Sequence, residues 1–192
     1  MPDSLFVARA SLDDTVAALL RGGVVAYPTE AVWGLGCDPR DEAATLRLLD
    51  LKARDVEKGL ILIAADEAQL APFVDLRVLE AAQRSAVRES WPGPHTWIVP
   101  AAAAAPRWIT GMHAGIAVRV SAHPPVVALC RAFGGAIVST SANRAGEPAP
   151  HAAGQLDRRI IEGVDAVMDG DTGSLARPTD IRDARSGAVL RP

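Results

Sequence analysis

The sequence predicts an α/β fold, in which helices pack on a mixed, twisted β-sheet. Short apolar segments of strand length alternate with longer amphipathic segments, but without the steady period of repeated βαβ units. The 192 residues are 49% hydrophobic and 22% charged, which is enough apolar material for a packed core. The length fits one domain over residues 1–192, and we expect no additional C-terminal domain.

The first third of the chain predicts two helices and two strands in alternation. A helix over 11–20 begins at Ser11, a good N-cap residue, and ends before two glycines. A short buried strand at 24–27 stops at Pro28, and a second helix covers 41–51. The unbroken apolar run at 59–64 predicts a strand that is buried on both faces.

The rest of the chain also predicts a mixture of helices and short strands. The alanine run at 101–105 is a linker or a short helix, and we assign it no function. The predicted elements are a helix at 76–89, strands at 97–99 and 116–120, a helix at 124–133, and strands at 136–138, 164–168, 179–182 and 189–191.

Composition and motifs exclude several classes of function. The net charge is −3, so RNA contact would need a local basic patch. Cys37 and Cys130 lack CxxC spacing, which favours buried thiols over a zinc site or a disulfide framework. The sequence contains no P-loop, complete dinucleotide fingerprint, HExxH or GxSxG motif. The four histidines are scattered, so we predict no metal site built from protein ligands.

The sequence predicts a cytoplasmic protein without a membrane partner. Residues 1–10 lack the apolar core of a secretory leader. No apolar run approaches the roughly 20 residues that span a bilayer.

The only two lysines of the chain, Lys52 and Lys58, flank Arg54 within seven residues. If this segment is extended, Lys52 and Arg54 point the same way and Lys58 closes from the far side. Three converging cations are costly unless an anion lies between them, and a triphosphate is such an anion. A solvated basic turn, with Asp55 and Glu57 nearly neutralising it, is the alternative.

Polar side chains also follow predicted strands at two other places. Ser139, Ser141 and Asn143 lie at the exit of the strand at 136–138, where ligand sites of α/β proteins form. Their hydroxyl, amide and backbone N–H groups suit phosphate or carboxylate oxygens, but this segment alone favours a polar turn or helix cap. Thr29 and Glu30 follow Pro28 in the same way, with a strand terminator as the alternative.

Arg119 interrupts the alternating strand at 116–120. A charge inside an apolar strand is costly unless it is paired or bound to a ligand. The sequence leaves an anion-binding role and a structural salt bridge equally open.

These segments occur in an order that resembles the YrdC-like family, the threonylcarbamoyl-AMP synthases, over residues 5–191. The shared segments are YPTE at 27–30, GLG at 34–36, KAR at 52–54, PGP at 92–94, AVR at 117–119, STSAN at 139–143 and DG at 169–170. WPGP at 91–94, PRW at 106–108 and IRD at 181–183 are similar to the short bacterial branch of the family.

The resemblance implies a single-domain YrdC-like fold around a positively charged cleft and a nucleotidyltransferase activity. Members of the family make L-threonylcarbamoyladenylate and pyrophosphate from L-threonine, bicarbonate or CO2, and ATP, with Mg2+ expected. The product serves t6A formation at position 37 of tRNAs reading codons that begin with A. The implied partners are a downstream transfer complex and, by direct contact, tRNA.

The resemblance also implies roles for individual residues. Its lysine-x-arginine and serine-x-asparagine signatures fall on catalytic and ATP-binding positions, namely Lys52, Arg54, Ser141 and Asn143. Further ATP contacts fall on Lys58 and Arg191, and threonine contacts on Thr29, Arg119, Ser139 and Thr179. Longer members carry a histidine at about the position of Ile63, so part of the threonine pattern differs here. Glu30 and Asp55 are the nearby candidates for a general base.

Two other functions share this fold. One is a non-enzymatic RNA-binding or ribosome-maturation module, favoured by the arginine-bearing stretch 107–131 but opposed by the net charge. The other is a sibling enzyme that carbamoylates a different acceptor through a carbamoyl adenylate.

Overall fold

A computed structural model describes residues 8–191 of the chain, in which nine strands form one sheet. The expectation for the N-terminus therefore falls largely outside the described residues. The strands are β1 Val25–Pro28, β2 Trp33–Gly36, β3 Ile61–Ala64, β4 His95–Pro100, β5 Gly115–Val120, β6 Ile137–Ser141, β7 Ala166–Val167, β8 Asp180–Asp183 and β9 Val189–Arg191. Their order in the sheet is β7-β1-β2-β6-β3-β5-β4-β8-β9.

The sheet is mixed, as predicted. Its parallel pairs are β1 with β7, β3 with β5, and β4 with β8, and the other neighbours are antiparallel. The helices are α1 Leu12–Leu20, α2 Glu42–Leu51, α3 Ala81–Glu89, α4 Arg107–Thr110, α5 Pro124–Phe133 and α6 Arg158–Gly163, and short 3₁₀ turns lie at Val56–Lys58, Glu67–Leu70, Leu76–Val78 and Ala153–Gln155.

Helices cover both faces of the sheet. Leu62 and Ile63 are consecutive residues of β3, yet they belong to two different apolar clusters, because side chains alternate across a strand. The cluster around Leu62 packs on α2, α3, α4 and α6, and the cluster around Ile63 packs on α1 and α5. The predicted fold class, a mixed sheet flanked by helices, is therefore confirmed.

Both cysteines are buried free thiols, as the composition suggested. Cys37 lies in one apolar cluster and Cys130 in the other. Burial raises the pKa of each thiol to about 12, so each behaves as a small core residue.

Strand β2 was missed by sequence reasoning because two of its four residues are glycines, which weaken a strand pattern. Gly36 is required by packing: a Cβ at this position would lie 2.6 Å from the Val138 carbonyl oxygen and 2.8 Å from the Tyr27 ring. This close approach lets β2 join β1 to β6, and β2 thereby connects the two halves of the sheet.

The single helix predicted over 76–89 is wrong. Leu79 has extended backbone angles and separates the 3₁₀ turn from α3. Helix α3 begins after Glu80, whose backbone N–H donates to the Gln83 side chain at 3.0 Å. The Glu-x-x-Gln spacing was the available signal for this start.

Two short helices were also missed, and neither is long enough to show a clear periodicity. Helix α6 has six residues. The alanine run forms a turn, and the helical turn α4 follows it at Arg107. Within residues 8–191, no helix is both long and apolar enough to cross a membrane.

Candidate functional site

A cavity of about 370 Å³ is lined by residues of β2, β3, β4, β5, β6, β8 and β9 and of the loops between strands. This volume is within the range of pockets that hold small-molecule ligands, roughly 300–1,000 Å³. Of the residues predicted for the site, eight line the cavity: Thr29, Arg54, Lys58, Arg119, Ser139, Ser141, Thr179 and Arg191. Residues separated by more than 150 positions in the chain thus converge on one space.

The ionisable side chains in the lining are four cations and one histidine. The cations are Arg54, Lys58, Arg119 and Arg191, the histidine is His113, and no aspartate or glutamate is among the described lining residues. Burial lowers the pKa of Arg54, and burial together with the charges of Arg119 and Arg54 lowers that of Arg191. These cations are close enough to repel one another, and a bound anion relieves that repulsion.

Two arginines have a donor that nothing in the described part of the chain accepts. The Nε atoms of Arg54 and Arg119 are buried and lack a hydrogen-bond partner there. An unpaired buried donor is costly, so such groups indicate a missing partner. Both arginines also line the cavity.

The segment Lys52–Ala53–Arg54 is not extended, so the predicted common direction of its two cations is wrong. Lys52 is the C-cap of α2, and Ala53 has φ +49°, in the left-handed region. The turn sends the two side chains apart. Lys52 Nζ donates to the carbonyl oxygens of Ser141 and Asn143, the latter at 2.6 Å, whereas Arg54 Nη2 donates to the Gly59 carbonyl at 3.0 Å.

Lys52 and Asn143 lie behind the cavity lining rather than in it. Lys52 is buried, and this burial, with the nearby charge of Arg54, lowers its pKa to about 8. The Asn143 side-chain N–H groups donate to the carbonyls of Arg144 and Glu147. Its Oδ1 atom is buried without a partner among the described residues. Both residues therefore hold the loop after β6 in its observed form.

Lys58 is presented by a short turn with a well-defined geometry. Asp55 caps the 3₁₀ turn Val56–Lys58 by accepting from the Glu57 N–H at 2.9 Å. Gly59 then adopts φ +64°, and Gly111 packs so closely that its added Cβ would lie 2.4 Å from the Glu57 carbonyl oxygen. Asp55 is thus a cap, and it is not among the lining residues.

Strand β6 ends three residues later than predicted, at Ser141 instead of Val138, and its last residues line the cavity. Ser139 pairs with Ile61 of β3, and Ser141 pairs with Gly34 of β2. Their hydroxyls consequently sit on a strand that is held from both sides, which is more rigid than the polar turn considered as an alternative.

Arg119 forms the structural salt bridge that the sequence left open, and its anion-binding role stays a prediction. It forms a buried ion pair with Glu30, at 3.2 Å between Nη2 and Oε2, and it also lines the cavity. Its Nη1 atom donates to the hydroxyls of Thr96 at 3.0 Å and Thr179 at 2.6 Å. Because Glu30 is engaged in this pair and absent from the lining, it is poorly placed to act as a general base.

The remaining predicted threonine contacts lie around Arg119. The Thr29 hydroxyl donates to the Val32 carbonyl at 2.7 Å within the β1–β2 turn. Arg191 of β9 donates to the Thr179 carbonyl at 3.0 Å and so ties the last strand to the cavity wall. Ile63, at the position compared with a histidine, is fully buried in an apolar cluster and does not line the cavity.

Sequence reasoning missed the apolar wall of the cavity and His113. The wall includes Ile98, Ile109 and Ile181, which carry no chemical signature in sequence. His113 is one of the four scattered histidines, and only the fold brings its loop, between α4 and β5, to the site.

The fold and the site together define an α/β protein whose sheet builds a cavity lined by four cationic side chains. The chain belongs to the Sua5/YciO/YrdC family, whose model, described as telomere recombination, matches residues 17–192. Threonylcarbamoyl-AMP synthases of two Xanthomonas species are among the most similar curated relatives. The one from Xanthomonas euvesicatoria pv. vesicatoria is 61% identical over 94% of this chain and 96% of its own length. The one from Xanthomonas axonopodis pv. citri is 59% identical over the same shares.

Solved structures of the family have the same fold. A doubly substituted P. abyssi Sua5 superposes with a TM-score of 0.87 at 28% identity, over 94% of this chain and 56% of that one. P. abyssi Sua5 complexed with L-threonine gives a TM-score of 0.79 at 28% identity, over 90% and 50%. E. coli YciO, at 23% identity and a TM-score of 0.81 over 94% and 87%, shows the fold alone.

Proposed function

We propose that this protein is a threonylcarbamoyl-AMP synthase, which forms L-threonylcarbamoyladenylate and pyrophosphate from L-threonine, bicarbonate or CO2, and ATP. The observation that carries the proposal is the convergence of four cations on one cavity, whose described lining residues include no carboxylate. The name and near-full-length match of the Xanthomonas relatives support it, and so does the L-threonine complex of P. abyssi Sua5.

In this proposal the triphosphate of ATP lies against Arg54, Lys58 and Arg191. The free Nε donor of Arg54 then acquires a phosphate oxygen, and charge-assisted contacts of this kind are the strongest hydrogen bonds available. Ser141 adds a hydroxyl from the end of β6. Lys52 and Asn143, also predicted to serve ATP, support the site from behind through the loop that follows Ser141.

L-Threonine lies at the neighbouring end of the cavity. Its carboxylate pairs with Arg119, whose Nε donor is free among the described residues. Thr29, Ser139 and Thr179 surround this position with hydroxyl groups, which suit the amine and hydroxyl of the amino acid. In this proposal, the amino-acid carboxylate and the triphosphate bind to separate cations.

The proposed reaction requires mainly that the protein position the substrates and stabilise negative charge. The threonine amine attacks CO2 and loses a proton to give a carbamate, whose oxygen attacks the α-phosphorus while pyrophosphate leaves. Fixed cations stabilise the negative charge that develops on the phosphates. Holding the reactants in place can supply about 7–11 kcal/mol in favourable cases.

Mg2+ is proposed to arrive with the nucleotide. Mg2+ prefers carboxylate oxygens and water, yet no aspartate or glutamate is in the cavity lining, and residues 8–191 contain no cluster of three or more potential metal ligands. The side chains of this cavity therefore do not fit a resident Mg2+ site, whereas triphosphate oxygens can carry the ion. The t6A pathway, the transfer complex, tRNA contact and a cytoplasmic location stay predictions.

The deciding experiment measures pyrophosphate release from Mg-ATP and bicarbonate with L-threonine, with L-serine or L-alanine, and without an amino acid. Release that depends on threonine supports the proposal. Two results contradict the proposal: pyrophosphate release that does not require threonine, and no pyrophosphate release from folded protein under any condition. The first result favours the sibling carbamoyl-adenylate enzyme, and the second favours the RNA-binding module.

A further inference from the structure

Glu30 and Ser121 lie directly behind Arg119, outside the cavity lining. Glu30 sits in the turn between β1 and β2, whereas Ser121 follows β5, so the fold brings together residues 91 positions apart. Both are buried, at 8% and 1% exposure. A carboxylate buried to this degree needs partners for both of its oxygens.

Each carboxylate oxygen of Glu30 has its own partner. Oε1 accepts from the Ser121 hydroxyl at 2.6 Å, and Oε2 accepts from Arg119 Nη2 at 3.2 Å. The Ser121 oxygen in turn accepts from the backbone N–H of His123 at 3.0 Å. The carboxylate is therefore anchored to the backbone through Ser121 on the side opposite its contact with Arg119.

The guanidinium of Arg119 is consequently held at its two terminal nitrogens, Nη1 and Nη2. Nη1 donates to two threonine hydroxyls and Nη2 to Glu30, which uses three of the five N–H donors that an arginine carries. The buried Nε donor has no partner in residues 8–191. Arg119 also lines the cavity, and a carboxylate bound to it would take donors that these contacts leave unused.

We propose that Glu30 and Ser121 are positioning residues that act through Arg119. They fix the guanidinium so that its free donors are presented to the carboxylate of the amino-acid substrate, and Glu30 offsets the cost of burying the Arg119 charge. The identity of that carboxylate as threonine rests on the proposed function. That Glu30 and Ser121 hold Arg119 in place does not rest on the proposed function.

The first test observes Arg119 itself. In ¹⁵N-labelled protein, the Arg119 Nε–H resonance is assigned by its loss in Arg119→Lys. We expect Ser121→Ala and Glu30→Gln each to shift this resonance and to speed its exchange with water by roughly tenfold, the size expected for one charge-assisted hydrogen bond. Ser121→Ala retains the Glu30–Arg119 ion pair. The Arg119 resonance can therefore still be measured in this variant if Glu30→Gln folds poorly.

Glu67→Gln is the matched control, because Glu67 pairs with Arg88 on the surface at 2.6 Å and is not among the cavity-lining residues. It should leave the Arg119 resonance unchanged. An unchanged resonance in both Ser121→Ala and Glu30→Gln would overturn the positioning role.

The second test separates the two substrates. We expect Ser121→Ala to raise the KM for L-threonine by about fivefold to tenfold while the KM for ATP changes less than about twofold. Equal increases in both KM values would indicate a general structural defect and overturn the proposal. If the wild-type protein releases no pyrophosphate with threonine, the proposed function fails, and the resonance of Arg119 alone decides the positioning role.

Discussion

At the scale of single residues, Ala53 decides how its two cationic neighbours are used. Residues two apart in an extended strand share a face, which is why the sequence predicted a common target for Lys52 and Arg54. The left-handed backbone of Ala53 instead turns Lys52 toward the loop after β6 and Arg54 toward the cavity. Within the lysine-x-arginine motif, Lys52 therefore supports the loop after β6, and Arg54 lines the cavity.

The strain at Ala53 predicts opposite effects of two substitutions. Ala53→Val should lower the free energy of unfolding by about 1–2 kcal/mol, because a β-branched residue fits φ +49° poorly. Ala53→Gly should be near neutral, since relief of strain offsets a chain-entropy cost of roughly 0.5–1 kcal/mol. Urea unfolding of both variants measures the difference, and equal destabilisation would contradict this account of the turn.

Lys52 predicts a dependence of stability on pH. Its pKa is lowered to about 8 in the folded protein, against 10.5 as the ordinary value, so the unfolded chain binds more protons between these values. The contribution of Lys52 to stability is therefore fully present above pH 10.5 and is lost as the pH falls through 8. The difference in unfolding free energy between wild type and Lys52→Met should rise between pH 8 and 10.5.

The same residue can be observed by NMR because the chain has only two lysines. Selective ¹³C-lysine labelling gives two side-chain signals, and Lys52→Met identifies one of them by its loss. A midpoint near the ordinary lysine value for that signal would show that Lys52 is not buried beside Arg54 as described.

The residues of the site differ in how far the sequence could predict them. Ser139 and Ser141 became candidates because they follow an apolar strand, but the family resemblance, and not this pattern, assigned them to a site. The structure brings them together in the cavity lining, while their contacts with substrate stay predictions. The apolar wall and the partners of Arg119 could not be predicted, because their roles depend on which strands become neighbours.

At the scale of elements, the 3₁₀ turn Val56–Lys58 packs on the end of helix α4 through the close contact between Glu57 and Gly111. Gly111→Ala should lower the unfolding free energy by about 1–2 kcal/mol for its left-handed backbone and by about 1–3 kcal/mol more for crowding against Glu57. Because the crowded turn carries Lys58, the KM for ATP should also rise, provided that the proposed function holds.

Gly134→Ala is the control for this prediction, measured by the same denaturation and kinetic assays. Gly134 has φ +83°, but no atom lies within 4 Å of an added Cβ. Only the backbone cost is expected there, with no change in KM for ATP. Equal losses of stability for the two variants would show that the packing of Gly111 on the turn is unimportant.

Elements were predicted best where burial dominates the pattern. Strand β3 and helix α5 were recognised because their apolar runs are long and are bounded by proline or glycine. Strand β2 and the break at Leu79 were missed, since their structure follows from packing: β2 uses glycines for close approach, and Leu79 is buried between two helical segments. Tertiary contacts overrode local preference in both cases.

At the scale of the whole molecule, the cavity is a product of the complete sheet. Its lining comes from seven of the nine strands in the described chain, including the last one, β9. A ligand that bridges these strands binds the folded state and has no comparable site on the unfolded chain. Binding should therefore stabilise the entire fold rather than one segment.

This coupling predicts a thermal shift. Mg-ATP at 100 times its Kd should add about 2.7 kcal/mol to the unfolding free energy, which for a chain of this size raises Tm by about 5–11 °C. Arg54→Met should lose most of the shift relative to its own unliganded Tm, because the proposed phosphate contact at Nε is gone. Arg77→Met should keep it, since Arg77 is exposed, pairs with Asp75 and is not among the cavity-lining residues. Differential scanning calorimetry measures all three proteins, and an undiminished shift in Arg54→Met would place the triphosphate elsewhere.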